Sequence, residues 1–253
     1  MNCIIQARMG SKRLPGKVLK KIEDDTTILD SVINQLKFSS LTKNIVVATT
    51  TLNEDDVIEE YLHKIGIDCF RGNSKNVLDR YYQCAKKYSF TSIMRITADC
   101  PLIDPELVDE AITIFDRKKC DYISNAFSRT FPYGTEIEIF SFKSLEIAWK
   151  NAKKPSEKEH VTPYIKSHPE LFNIENIQNN RNISNLRWTV DRKEDLELVR
   201  QIMLKINKRP VLMEDILELM KNEPRLREIN NKIIPDEGMK KSLKEDDIFL
   251  KKE

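Results

Sequence analysis

Strand-like and helix-like segments alternate four times within residues 1–120, and no other feature of this chain restricts its fold as strongly. The apolar start Ile4-Ile5 is followed by a helix signature: Thr26 and Thr27 precede Ile28, Leu29, Val32, Ile33 and Leu36, one apolar face at helical spacing. A buried strand comes next at 44–49. Asn53 with Glu54, Asp55 and Asp56 reads as the capped, acidic first turn of a helix that Gly66 ends. A short strand at 68–70, a helix from Asn76 to Tyr88, a strand at 92–97 and a helix opened by Asp104, Pro105 and Glu106 complete the series. Such a series predicts an α/β fold, a mostly parallel sheet with helices on both faces.

The pattern changes after Cys120. Strands are expected at 122–124, 136–142 and 172–177, with helices at 143–152 and 157–167, so this half reads as mixed α+β. A last strand at 186–190 delivers Asp191 to the start of an amphipathic helix bearing Leu196, Leu198, Val199, Ile202 and Met203. No linker divides the chain. The expectation is one domain over 1–233, with a first half at 1–120, a second at 121–205 and C-terminal helices at 206–233. Residues 234–253 are polar and charge-rich, a tail or a loosely docked helix.

Composition narrows the partners. Forty-two Lys and Arg against 40 Asp and Glu leave a net charge of +2, so no global field points to nucleic acid or to a membrane surface. Five cysteines, Cys3, Cys69, Cys84, Cys100 and Cys120, are odd in number and form no Cys-x-x-Cys pair, which argues against a disulfide framework or a zinc knuckle. With no signal peptide and no 18-residue apolar run, a soluble cytoplasmic protein is expected.

Positive charge is concentrated in the loop after the first strand. Gly10 and Gly16 allow close approach of a ligand to the backbone, and Arg8, Lys12, Arg13 and Lys17 surround it with cations, which makes the loop an anion cradle suited to a polyphosphate. It resembles a Walker A loop but fails that pattern twice. Five residues rather than four separate the glycines, and Val18 stands where Ser or Thr would bind magnesium. Any metal must therefore be held from elsewhere.

Carboxylates at strand ends are the first candidates, because ligands of open α/β sheets bind beyond the carboxyl ends of the strands. Asp99 follows the strand at 92–97, and Asp191 follows the one at 186–190. Magnesium is commonly held by one or two carboxylates plus substrate phosphates. Asp191 has a second reading as the N-cap of the helix that follows it.

Four colinear motifs carry a family resemblance: residues 4–19, Arg71-Gly72 with 77–81, residues 95–104, and Thr189-Val190-Asp191 with 194–196. Together they resemble the spore-coat polysaccharide SpsF-type cytidylyltransferases, which are similar in turn to the CMP-Kdo and CMP-sialate synthetases. The resemblance covers about residues 1–205. It implies a three-layer GT-A/Rossmann-like nucleotidyltransferase fold with a mostly parallel mixed sheet, a homodimer, and the use of CTP and Mg²⁺ for glycoconjugate or surface polysaccharide synthesis. By the same resemblance Ala7, Arg8, Gly10, Ser11, Arg13 and Lys17 would face the nucleotide phosphates. Asp99 and Asp191 would hold the metal and, with Arg8 and Lys17, form the catalytic set. Ala48, Thr49, Arg71, Gly72 and Arg80 would lie near cytosine and ribose; Arg80 reads equally as a structural partner of Asp79. Thr50 departs from the sugar-acid synthetases, which often carry an aspartate after the second strand.

The acceptor side is expected from residues 131–138 and 157–164, where Tyr133, Glu136, Glu138, His160 and Tyr164 offer groups for a polyol. Glu136 and Glu138 also read as the solvated face of a strand, and His160 as a satisfied helix residue. His160 and His168, eight residues apart, fall about 80° out of line on a helix and are no zinc pair. Without a Ser-His-Asp or Cys-His arrangement, the expected chemistry is direct attack of the acceptor on the α-phosphorus of CTP. A GT-A glycosyltransferase and a catalytically silent nucleotide-binding subunit are the competing readings.

Overall fold

The computed structural model describes residues 1–251. In chain order its strands are β1 (Asn2–Gln6), β2 (Lys21–Glu23), β3 (Thr26–Thr27), β4 (Asn44–Thr50), β5 (Asp68–Gly72), β6 (Ser92–Thr97), β7 (Tyr122–Ser124), β8 (Glu138–Ser141) and β9 (Ile174–Asn176). The helices are α1 (Ile28–Lys37), α2 (Asp56–Lys64), α3 (Val77–Lys87), α4 (Pro105–Lys118), α5 (Phe142–Asn151), α6 (Pro155–His160), α7 (Pro163–Ser167), α8 (Lys193–Lys205), α9 (Met213–Asn222) and α10 (Glu237–Leu250).

Seven strands form the main sheet in the order β5-β4-β1-β6-β8-β7-β9, and β2 pairs with β3 in a small separate ribbon. β4 and β6 both run parallel to β1, and β5 runs parallel to β4. β8 is antiparallel to both β6 and β7, whereas β9 returns parallel to β7. The chain thus leaves β1 toward β4 on one side and later takes up β6 on the other, which makes the β1–β6 junction the switch point of the sheet. Gln6 pairs with both Ala48 and Thr97, so β1 and β6 end level and β4 runs two residues further, to Thr50. The segments that leave these ends share one rim, where open α/β folds place their ligands.

Central strands must be apolar on both faces because helices cover each. Cys3 and Ile5 of β1 pack with α1, α2 and α4, while Ile4 faces the opposite core with α3, α5 and α7. Helix starts follow their sequence signals. The Thr27 hydroxyl accepts from Asp30 N at 3.1 Å, and the Asp30 carboxylate accepts from Thr27 N at 2.8 Å, a reciprocal cap on α1. Asp104 caps α4 through Glu106 N at 2.8 Å, and its other oxygen takes Met213 N at 2.7 Å, which fixes α9 to the sheet end of the molecule. A third core, with Trp188 at its centre, joins α8 and α9 to Leu14 and Leu102.

Three expectations need correction. Residues 186–190 do not join the sheet; their only bridge among the described residues is Arg187 with Tyr133. The apolar Leu186, Trp188 and Val190 fill the third core instead, which gives them strand-like alternation without a strand partner. The helix expected at 157–167 is broken at Val161, whose φ of 70° ends α6 before Pro163 opens α7. Asn53 caps nothing: residues 53–55 make a 3-10 turn ahead of α2. Of the two alternatives for the residues after 233, the helix is the one observed: residues 237–250 form α10, laid on α6.

Candidate active site

The loop after β1 is held in shape by its own backbone. The Met9 carbonyl accepts from Ser11 N at 2.7 Å and from Gly16 N at 3.0 Å, which closes the glycine segment into a compact turn. Gly16 sits at φ +64°, a left-handed conformation that a side chain would strain. Asp55, fully buried, accepts from Met9 N at 2.6 Å and from the Thr50 hydroxyl, so the segment between β4 and α2 anchors the loop. The sequence pattern placed Asp55 in the acidic first turn of a helix. Its signal was the run of three acids, Glu54, Asp55 and Asp56, with Asp55 in the middle, more than a helix start needs.

From that loop Lys17 reaches inward. Its ammonium donates to Asp99 Oδ2 at 2.7 Å, Asp191 Oδ1 at 2.8 Å and the Val190 carbonyl at 2.8 Å, which uses all three of its donors. Two contacts to the Asp99 carbonyl hold the acids' segments together: Val190 N donates to it at 2.8 Å, and the Thr189 side-chain hydroxyl at 3.2 Å. Burial pulls the Lys17 pKa down, but Asp99 and then Asp191 outweigh it and hold the ammonium above the ordinary lysine value. For Asp191, burial pushes upward; Lys17 and Arg13 prevail and keep the carboxylate well below its usual range. Arg13 contacts Asp191 Oδ1 at 2.9 Å.

Asp191 is not the helix cap. Asp195 performs that role, its Oδ2 accepting from Asp191 N and Arg192 N at 3.0 Å each. Arg187 then ties the two acids together, donating to Asp191 Oδ2 at 3.0 Å and to Asp195 Oδ1 at 2.9 Å. Arg187 and Asp195 were not anticipated, although Asp195 lies at the N3 position where a capping carboxylate belongs. The Asp191 carboxylate is thereby left to face Lys17, Arg13 and Arg187.

The residues expected at the nucleoside end divide into two groups. Arg71 is fully engaged, donating to the Thr50 and Leu52 carbonyls at 2.9 and 2.8 Å and pairing with Asp56 and Glu59. Arg80, by contrast, is 2% exposed, and its Nε has no partner, nor has the buried Thr49 hydroxyl. Asp79 does not serve Arg80; it accepts from Gln83 and from Trp149 Nε1. Burial lowers the Arg80 pKa. Gly72 keeps the Arg80 stem close, since a Cβ there would lie 2.9 Å from Arg80 Cγ. Ala48 is fully buried beside Thr49. The Ser11 hydroxyl accepts from Leu14 N at 3.4 Å, and Arg8 crosses to Glu159 at 3.0 Å. Ala7 N donates to the Ala48 carbonyl, and a Cβ on Gly10 would meet the Glu54 carboxylate at 2.7 Å.

The acceptor candidates are not gathered into one wall. Glu138 lies on neither a solvated nor an open face: it is buried and accepts from the Tyr122 hydroxyl, the Thr162 hydroxyl, Arg95 and Lys166. Tyr164 stacks on His168 and packs beside Phe172, among core side chains. These two residues serve the fold, because their polar or apolar surfaces are already matched. Glu136 stays at the acid pair; it takes Gly134 N at 2.8 Å and Arg129 at 2.7 Å, and the Cys100 thiol beside Asp99 donates to it at 3.6 Å. Tyr133 donates from its hydroxyl to Asp236 at 2.8 Å. His160 contacts the Ser242 hydroxyl at 3.0 Å, and burial lowers its pKa.

A cationic glycine loop at the switch point faces two carboxylates, where open α/β folds bind their ligands, and with the family match the chain is a nucleotidyltransferase. A cytidylyltransferase family model matches residues 2–231, and the chain belongs to that family. It is 34% identical to the spore coat polysaccharide biosynthesis protein SpsF of Bacillus subtilis, over 87% of this chain and 94% of that one. A solved cytidylyltransferase from Leptospira borgpetersenii superposes with a TM-score of 0.85 at 37% identity, covering 92% of this chain and 98% of that one. The fold extends to a CMP:2-keto-3-deoxy-manno-octonic acid synthetase complexed with CTP, with a TM-score of 0.61 at 18% identity over 80% and 98% of the two chains.

Proposed function

We propose that this protein transfers CMP from CTP to a sugar, a sugar acid or a small phosphorylated acceptor and releases pyrophosphate, in the synthesis of a surface polysaccharide or glycoconjugate. One observation carries the reading: the Lys17 ammonium lies between Asp99 and Asp191, directly beneath the cationic loop. An oxygen of the acceptor attacks the α-phosphorus in line, the bond to the bridging oxygen breaks, and pyrophosphate leaves. Such chemistry rests on positioning and charge stabilisation, so no enzyme nucleophile is required. Arg13 and Lys17 face the charge that develops on the departing pyrophosphate. Thr49 and Arg80, buried with unused polar atoms, are suited to the nucleoside. Tyr133 and Glu136 remain as the acceptor-side candidates.

The donor set at the acid pair suits a hard cation. Asp99 and Asp191 already share one positive group, and both offer oxygen. Burial, then Glu136 and Asp99, push the Cys100 thiol well above its ordinary pKa, so it supplies no soft thiolate. These two carboxylates would hold Mg²⁺ together with phosphate oxygens. When bound, the ion supplies Lewis-acid polarisation of the α-phosphate. A cytoplasmic setting is part of the proposal, supported by five unpaired cysteines, and so is a homodimer, supported by the family resemblance.

The test is a pyrophosphate-release screen with CTP and Mg²⁺ against neutral sugars, sugar acids and sugar phosphates. Asp99→Asn and Asp191→Asn are each expected to lower kcat/KM by about 10²-fold or more. Full activity in either variant removes that residue from the site.

A further inference from the structure

Helix α10 is attached by its polar side. Asp246 accepts from Ser156 N at 2.9 Å and from the Ser156 hydroxyl at 2.5 Å, and Ser242 meets His160. Ser242 and Asp246 are buried, whereas Leu243, Ile248 and Leu250 are more than half exposed. Among the described residues, no α10 side chain belongs to any of the three apolar cores. Burial of apolar surface is what ordinarily fixes a helix to a domain, and α10 contributes little of it: Met239 and Phe249 are only half-buried. The helix also lies beyond residue 231, where the match to the family model ends.

The start of this helix nevertheless reaches the site. The Glu237 carboxylate lies between two guanidiniums: Arg192 donates to both of its oxygens at 2.8 and 3.0 Å, and Arg13 reaches it at 3.2 Å. Arg192 directly follows Asp191, and its buried Nε has no partner. The preceding residue, Asp236, takes the Tyr133 hydroxyl. One short segment thus covers the cationic loop on one side and an acceptor candidate on the other.

We propose that Arg13 and Arg192 form an anion clamp, that Glu237 fills it in the closed protein, and that the anionic group of a substrate takes Glu237's place and releases α10. The ligand is a phosphate or carboxylate group, brought either by the triphosphate end of the nucleotide or by an acidic acceptor. A carboxylate carries one charge and a terminal phosphate close to two, so the phosphate has the stronger hold on paired guanidiniums. Attachment through exchangeable polar contacts lets the helix leave without uncovering a core. This inference rests on the cytidylyltransferase reading and assigns it a gate.

Hydrogen exchange of the amides of residues 238–250 in the full chain tests it, with inorganic pyrophosphate, CTP, CMP or D-glucuronate added and binding of each probe followed by calorimetry. Pyrophosphate and CTP are expected to speed exchange across α10, and CMP to leave it unchanged. Release by glucuronate alone assigns the clamp to the acceptor's acid group. Glu237→Gln should tighten pyrophosphate binding about three- to tenfold by removing the competitor. Asp246→Asn, which loosens the attachment and leaves the clamp intact, should also tighten it. If pyrophosphate and CTP bind while α10 exchange stays constant and both variants match the parent, the gate is refuted and the cytidylyltransferase reading stands. If no probe binds the parent or either variant, both fall together.

Discussion

Lys17 has three donors and three acceptors, and that saturation makes it more than one cation among several in its loop. Its charge sets the geometry of Asp99 and Asp191. Lys17→Met is expected to lower kcat/KM for pyrophosphate release by about 10²- to 10³-fold; a loss under tenfold would reduce the residue to a structural strut. Gly134 is a second position where one side chain matters. At φ +98° a Cβ would lie 2.3 Å from Thr189 N, where the backbone of 188–189 bonds to Tyr133. Gly134→Ala is expected to destabilise the fold by at least about 1–3 kcal/mol from the backbone conformation alone. Urea denaturation measures it, and an unchanged midpoint would contradict the contact.

Among the elements, α8 carries the argument, because Asp191, the metal candidate, sits just ahead of its Arg192 N-cap without itself capping the helix. Asp195 is fully buried and serves Arg187, the Asp191 and Arg192 amides and Asn230. Asp195→Ala leaves Arg187 without its main partner, and breaking a buried pair of this kind costs about 3–5 kcal/mol. Thermal and urea unfolding should both register that loss, and activity should fall with it through the displaced Asp191. Sequence patterns read this region only in part. The amphipathic spacing of Leu196 to Met203 located α8 and the position of Asp191. Alternation in 186–190 suggested a strand, although Trp188 and Val190 alternate into a helical core. Periodicity records which side chains are buried, and it does not record what buries them. For the same reason Glu138 read as solvated: its four partners lie on β6, β7, and in and just before α7, and only the tertiary fold brings them together.

Over the whole molecule, the first half was legible because a parallel sheet announces itself through buried strands alternating with capped helices. Asp99 followed from the sheet's polarity, at the end of β6; Asp191 reaches the same rim on a segment outside the sheet, held there by the Val190 amide on the Asp99 carbonyl. The C-terminal helix was legible only as one of two alternatives and its Glu237 not at all, since α10 buries Ser242 and Asp246 and exposes Leu243, Ile248 and Leu250, against the amphipathic rule. The charge distribution predicts a stepped response to acid. The His160 pKa is lowered in the folded chain from 6.5, so the unfolded chain binds this proton first and stability falls as pH drops below about 6.5. Asp191 and Glu138 have depressed pKa values; their contribution is fully present above the ordinary values of 3.8 and 4.5 and is lost as pH falls below them. Urea midpoints recorded between neutral pH and about pH 3.5 should show both limbs. His160→Gln should flatten the upper limb and Glu138→Gln the lower.

The central claim is that the loop from Ala7 to Lys17, with Asp99 and Asp191, receives CTP. Calorimetric titration of the full chain with each nucleoside triphosphate and with nucleotide sugars, in the presence of Mg²⁺, tests it most directly. The account predicts saturable CTP binding that exceeds that of the other triphosphates and is lost in Lys17→Met. Binding of a nucleotide sugar but not of CTP would contradict it.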